Sequence, residues 1–182
     1  MSEECNTIIL EANRIGTGKR EALKKFMSAI AHSRVSMINF AKNGVMDNEF
    51  HQILHGLKHI TRPIELNVSD NAIGSGIEAL GNALGRSSCP LARVNLRGNS
   101  IPDTALAFFA GRLRECKAPI RSINLSKNNV TTATGSLLLQ ACALNPHQGG
   151  IQISLEDNEE CERLASLSTN LCHDGLLMRE IV

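Results

Sequence analysis

The 182-residue chain has no tryptophan and no tyrosine, and its five phenylalanines are its whole aromatic content. Those two missing residues supply many interface hot spots, so weak or composite binding is expected rather than a tight complex on aromatic anchors. An excess of one charge is missing as well: 19 Lys and Arg face 18 Asp and Glu, a formal net charge of +1. A general nucleic-acid binder needs a basic excess to displace counterions, so nucleic acid is not an expected partner. No apolar run approaches the ~18 residues that mark a spanning helix, which argues against a membrane segment. The start, MSEEC, is acidic and has no basic n-region, so no secretory leader is expected. CxxC pairs are absent. Cys5, Cys89, Cys116, Cys142, Cys161 and Cys172 are dispersed, and the expectation is reduced thiols in a cytoplasmic compartment.

What is present is a repeat. The pattern apolar-x-apolar-x-x-Asn-x-apolar returns with its asparagines at Asn13, Asn43, Asn71, Asn99, Asn128 and Asn158, at gaps of 30, 28, 28, 29 and 30 residues. A period in this range marks an array of supersecondary units. Each unit opens with a strand, in which alternate residues take opposite faces. The pairs Ile8/Leu10, Ile38/Phe40, Leu66/Val68, Val94/Leu96, Ile123/Leu125 and Ile153/Leu155 are therefore expected to face inward. The repeat asparagine is expected to turn inward too, its amide satisfying backbone groups of neighbouring turns. The period then changes to 3.6. Leu23/Phe26/Met27/Ile30, Phe50/Ile53/Leu54/Leu57, Ile77/Leu80/Leu84, Leu106/Phe109/Leu113 and Leu137/Leu138/Ala141/Leu144 each predict one apolar helical stripe.

A strand, a turn and a helix of 11–14 residues in each unit resemble the leucine-rich repeat in its long, ribonuclease-inhibitor-like form. The segments LNVSDNAIGSGIEALGNAL and VNLRGNSIPDTALAFFAGRL carry the likeness best, and Glu160 breaks it where an apolar residue should close the sixth turn. The resemblance implies a single α/β domain over 1–182: a curved right-handed solenoid with a parallel sheet on its concave face and helices on its convex face. Its units would be 5–32, 35–60, 63–88, 91–117, 120–147 and 150–173, with a partial seventh strand at 176–182, where Met178 and Ile181 repeat the form of Ile120 and Ile123. Uncapped ends of such an array leave unpaired strand groups, so self-association through them is a further expectation.

The alternation also predicts the outward side of the sheet. One column is Thr7, Met37, Glu65, Arg93, Ser122, Gln152; the next is Ile9, Asn39, Asn67, Asn95, Asn124, Ser154; the third is Glu11, Ala41, Ser69, Arg97, Ser126, Glu156. The four consecutive asparagines are expected to bond along their ladder, or else to read a partner's amides. Arg93 and Arg97 share a face, and the planar arginine fork suits carboxylates, so these two lead the candidate protein-binding residues, with Glu65 able to neutralise Arg93. Six strands of about five residues make roughly 400 Å² of sheet, below the ~800 Å² per partner of a stable interface. A partner is therefore expected to touch the loops, the helices or an end as well.

Other motifs carry less. Gly16, Thr17, Gly18, Lys19 and Arg20 lack the first glycine and the Ser/Thr of a phosphate loop. His51, His55 and His59 recur at helical spacing, with no nearby Cys or acidic third ligand, and are read as a solvated face; no metal or cofactor is expected. Lys19, Arg20, Lys24 and Lys25 are read likewise, with contact to an acidic partner as the alternative. No catalytic set assembles. The expected function is a non-enzymatic protein-interaction module in the cytoplasm, or in a host cytosol were it a bacterial effector. The alternatives are a regulator of an enzyme (an inhibitor or a GTPase activator) and a structural or cytoskeletal scaffold assembling through its ends.

Overall fold

The computed structural model describes residues 6–16, 19–145 and 150–158. The expected sixth helix, Glu160, the partial seventh strand with Met178 and Ile181, Thr17, Gly18, Cys5, Cys161 and Cys172 lie outside them. Strands and helices alternate: β1 (Thr7–Ile9), α1 (Arg20–Ala31), β2 (Met37–Asn39), α2 (Asp47–Leu57), β3 (Ile64–Asn67), α3 (Ile77–Leu84), β4 (Leu91–Asn95), α4 (Asp103–Arg114), β5 (Ser122–Asn124), α5 (Thr132–Ala143) and β6 (Gln152–Ser154). The strands form one open parallel sheet in the order β1-β2-β3-β4-β5-β6. Neighbouring strands are joined through a helix because parallel strands need a long crossover. The protein is thus α/β, with six parallel strands and five helices among the described residues.

Ile8, Ile38, Leu66, Val94, Ile123 and Ile153 fall in register across all six strands. From Ile38 onward each is at most 8% exposed, and the row packs against the helical stripes in one continuous core. Phe50, Ile53, Leu57, Leu80, Leu84, Leu106, Phe109 and Leu113 are fully buried there. Phe26 meets Phe40 edge-on, with ring centroids 5.7 Å apart. In α5 the expected stripe splits. Leu138 and Ala141 are buried, whereas Leu137 and Leu144 are 47% and 53% exposed. Leu137 lies about 100° around the helix from Leu138, which puts it on the flank of α5.

Beside the core runs a column of side-chain amides. Asn43 Oδ1 accepts the Asn13 and Ile15 amides (2.8 and 3.3 Å), and Asn71 Oδ1 accepts those of Asn43 and Val45 (both 2.9 Å). Asn99 Oδ1 accepts Ile73 N at 3.1 Å. Asn128 Oδ1 accepts Asn99 N and Ile101 N (3.0 and 3.1 Å), and Asn158 Oδ1 accepts Asn128 N and Val130 N (2.9 and 3.2 Å). Their Nδ2 groups donate to carbonyls of their own unit and the unit before, as Asn128 does to Leu125 O and Leu96 O. Asn13, at the start of the column, is exposed and donates only locally, to Glu11 O at 3.1 Å. The residue before each of these asparagines (Ala12, Lys42, Asp70, Gly98, Lys127 and Asp157) has positive φ. Five of the six are not glycine, so the left-handed turn that aims the amide inward is held by the stack despite its steric cost.

A second tie joins successive units at two places. Asp47 at the start of α2 accepts Gly74 N (2.8 Å) and Ser75 Oγ (2.7 Å) from the following unit. Asp103 at the start of α4 accepts Thr131 N (3.1 Å) and Thr131 Oγ1 (3.0 Å). Burial pushes both carboxyls upward, but the hydrogen bonds outweigh it and hold them below the usual aspartate value. A folded-state pKa below the unfolded one gives stability that is present above the unfolded pKa and lost as pH falls through the folded one. Asp103→Asn should therefore lower the melting temperature at neutral pH by a few degrees. It should also flatten the fall in melting temperature below about pH 4 relative to the parent chain. Parallel melting curves for the two from pH 7 to pH 3 would count against this tie.

Candidate functional site

One face of the sheet is covered by helices; the other carries the predicted outward columns. The register confirms the row Thr7, Met37, Glu65, Arg93, Ser122, Gln152, and beside it Ile9, Asn39, Asn67, Asn95, Asn124, Ser154. Ile9 is 67% and Met37 38% exposed, the two large apolar side chains on this face. The third column is different. Ala41, Ser69 and Ser126 are buried, because the chain is already turning toward the inward asparagine, and only its charged members reach solvent.

The asparagine ladder does not bond along itself. Asn39, Asn67, Asn95 and Asn124 each accept, through Oδ1, the backbone amide two residues on: Ala41, Ser69, Arg97 and Ser126, at 2.9–3.1 Å. The cause is the turn that follows each strand. It frees that amide from the sheet, and a short side-chain carbonyl two residues back is its nearest acceptor. These asparagines shape the turn with their oxygens, and their NH2 groups remain on the bare face.

Arg93 and Arg97 are brought to one face but not to one partner. Arg93 Nε lies 3.6 Å from Glu65 Oε1 on the adjacent strand. Arg97 Nη2 lies 3.4 Å from Asp157 Oδ2, two units along. Lys42 Nζ pairs with Glu11 at 2.9 Å, and that carboxylate raises the lysine's pKa. Exposed pairs of this kind contribute little to stability, so the arginines can exchange their internal carboxylates for those of a partner. The strands are mostly three residues long rather than five, which reduces the flat sheet to roughly 300 Å².

Among the described residues no group of three His, Cys, Asp or Glu side chains is placed to hold a metal. No helix there is long and apolar enough to cross a membrane. Cys89, Cys116 and Cys142 are buried; burial pushes the Cys116 thiol up to about 11, against the low value a reactive thiol needs.

No family model and no curated protein matches the sequence. Among solved structures the chain is similar to "Leiomodin-1 Actin-Binding Site 2 (ABS2)", with a TM-score of 0.60 and 17% identity over 77% of this chain and 80% of that one. This likeness is one of fold. It overturns the expected membership in the ribonuclease-inhibitor-like leucine-rich repeat family, and the effector expectation that accompanied it has no support either. The physical reason is that a period of 28 to 30 residues records a strand, a turn, a helix and a return. Any row of β–α units of these lengths must show it, so the period specifies geometry rather than descent.

Proposed function

We propose that the chain is a non-enzymatic protein-interaction module. In this reading its β–α units continue as a curved solenoid, and the bare face of the sheet is the concave side offered, with its adjoining loops, to a protein partner. One observation carries the reading: helices cover one side of the sheet, while the other presents Ile9 and Met37 beside Glu65, Arg93 and Arg97. Apolar side chains rimmed by polar ones are the usual make-up of a contact surface. A similar fold occurring in a structure described as an actin-binding site supports a binding role and makes actin the first partner to try.

The test compares the intact chain with an Arg93→Glu/Arg97→Glu variant, first by co-sedimentation with purified actin filaments and then by affinity capture from cytosolic extract. Both residues reach solvent, so circular dichroism should be unchanged. A partner retained by the parent and weakened about tenfold or more in the variant is the expected result. Equal retention by both chains would move the contact off this face.

A further inference from the structure

The helix side of the molecule carries a second surface. Between α1 and α2 lies a groove of about 1050 Å³, lined by Arg20, Glu21, Lys24, Met27, Ser28, Ala31 and His32 on one wall and by His51, Gln52, His55, Gly56 and His59 on the other. Ser28, Ala31 and Gly56 are the small residues of its lining. At Gly56 the helices approach so closely that a Cβ would stand 2.5 Å from Met27 Cβ. Around them the basic side chains of the lining outnumber the acidic ones. Arg20, Lys24, His32, His51, His55 and His59 line the groove with Glu21 as its one carboxylate. Lys58, whose Nζ lies 2.7 Å from His55 Nε2, and Arg86 of the following unit extend the same character toward α3 through a smaller pocket that shares His51 and His55. Arg20 is partly matched by Glu49 at 3.8 Å. Lys24 has no ion pair among the described residues.

One lining residue of this groove carries an unpaired acceptor. Gln52 Oε1 is the buried side-chain polar atom that lacks a hydrogen-bond partner among the described residues, and Gln52 is a lining residue. A buried acceptor left unpaired costs free energy that an incoming donor would recover.

We propose that this groove is a docking site for an acidic, amphipathic α-helix of a partner protein. The dimensions fit. Helices α1 and α2, of 12 and 11 residues, are roughly 16–18 Å long, and half the cross-section of an 11-residue helix fills roughly 700–1000 Å³. Carboxylates one turn apart would reach Lys24 and Arg20 on one wall and the imidazoles on the other. Apolar residues between them would meet Met27 and Ala31, and a side-chain amide or hydroxyl would donate to Gln52. The charged groups around the groove are Arg20, Glu21 and Lys24 from α1, Asp47, Glu49 and Lys58 from α2 and Arg86 from α3, so the lysines and arginines outnumber the carboxylates.

The probe is a fluorescent synthetic helix of about 12 residues with leucines on one stripe and glutamates beside it, titrated with the intact chain at about neutral pH. Saturable binding is the expected result. A Lys24→Glu/His55→Glu variant should lose about tenfold or more, while Arg93→Glu/Arg97→Glu binds as the parent does. A version with lysine in place of every glutamate should not bind. Equal binding of that version, or no effect of the groove variant, would overturn the proposal. So would displacement of the probe by duplex DNA or acidic lipid vesicles at matched charge, which would make the groove a general polyanion surface. A Gln52→Leu variant isolates the amide: weaker binding of the probe is the result the unpaired oxygen requires.

Discussion

Replacing Asn128 by alanine should cost about 3–5 kcal/mol, among the largest losses of any single truncation in this fold. Two amides depend on its Oδ1, Asn99 N and Ile101 N, and both sites are buried. Alanine leaves each without an acceptor, and an orphaned buried donor costs about 1–3 kcal/mol. The carbonyl side is better insured. Leu96 O still receives Asn99 Nδ2, Leu125 O still receives Asn158 Nδ2, and Ser126 O keeps Gly98 N. The loss therefore arises mainly from the two N–H groups. Asn13→Ala is the internal comparison: its amide is exposed and donates only to Glu11 O, so less than about 1 kcal/mol should be lost. Urea unfolding should show the Asn128 variant with a much lower midpoint at similar slope. A reduced slope would mean that the units around β5 and β6 unfold apart from the rest, as nearest-neighbour arrays allow. A loss below about 1 kcal/mol would show that water replaces the amide and that the column is not what holds the turns.

The second large effect is expected at Gly16. A Cβ there would stand 1.7 Å from the carbonyl oxygen of Gly44 and 2.9 Å from Val45 N. Both neighbours are backbone, so no side chain can swing aside, and the Gly16 N to Asn43 O hydrogen bond of 3.0 Å holds the two turns together. Gly16→Ala must lift the first unit away from the second, at about 3 kcal/mol, the upper end of ordinary overpacking. The damage should be local. Leu10 N and Ala12 N, bonded to Asn39 O and Ala41 O across the β1–β2 step, should exchange hydrogen about a hundredfold faster. Val68 N and Leu96 N, bonded to Asn95 O and Asn124 O further along, should keep their protection. Gly111→Ala is the contrasting change. Nothing lies within 4 Å of its Cβ, and it sits inside α4, so helix propensity should raise stability by up to about 1 kcal/mol. Unchanged exchange at Leu10 and Ala12 in the Gly16 variant would mean that the two turns slide past one another at no cost.

Both predictions rest on features that the sequence announces only in part. The recurring asparagine and the row Ile8, Ile38, Leu66, Val94, Ile123, Ile153 were legible because a repeat places equivalent side chains at equivalent depth. The stripe Leu106, Phe109, Leu113 was legible because one helical face is read by spacing alone. Leu137 and Leu144 were not, since a leucine one position from a buried one looks the same in sequence and differs by a rotation of about 100°. The asparagines of the bare face were misjudged as a ladder. Spacing shows which side chains are neighbours, but not that an amide freed by the following turn competes for each Oδ1. Nothing in the sequence sets Asp47 and Asp103 apart, and their bonds to Gly74, Ser75 and Thr131 appear only once successive units are stacked. The groove was half visible, as basic residues near Arg20 and Lys24 and as histidines at helical spacing. Nothing in the sequence brings those two sets together.

By itself, then, the sequence determined the periodic part of this protein: six strands in a row, which residues of each face inward, and, for every described helix but α5, which stripe meets the core. Those follow from spacing, because the pleat and the α-helix have fixed periods. The tertiary structure decided everything that depends on the offset between one unit and the next. That offset sets Arg97 against Asp157 two units away, presses Gly16 onto Gly44, and opens the space between α1 and α2. A period states how often a unit returns, whereas contacts between units depend on the rotation and translation that packing selects.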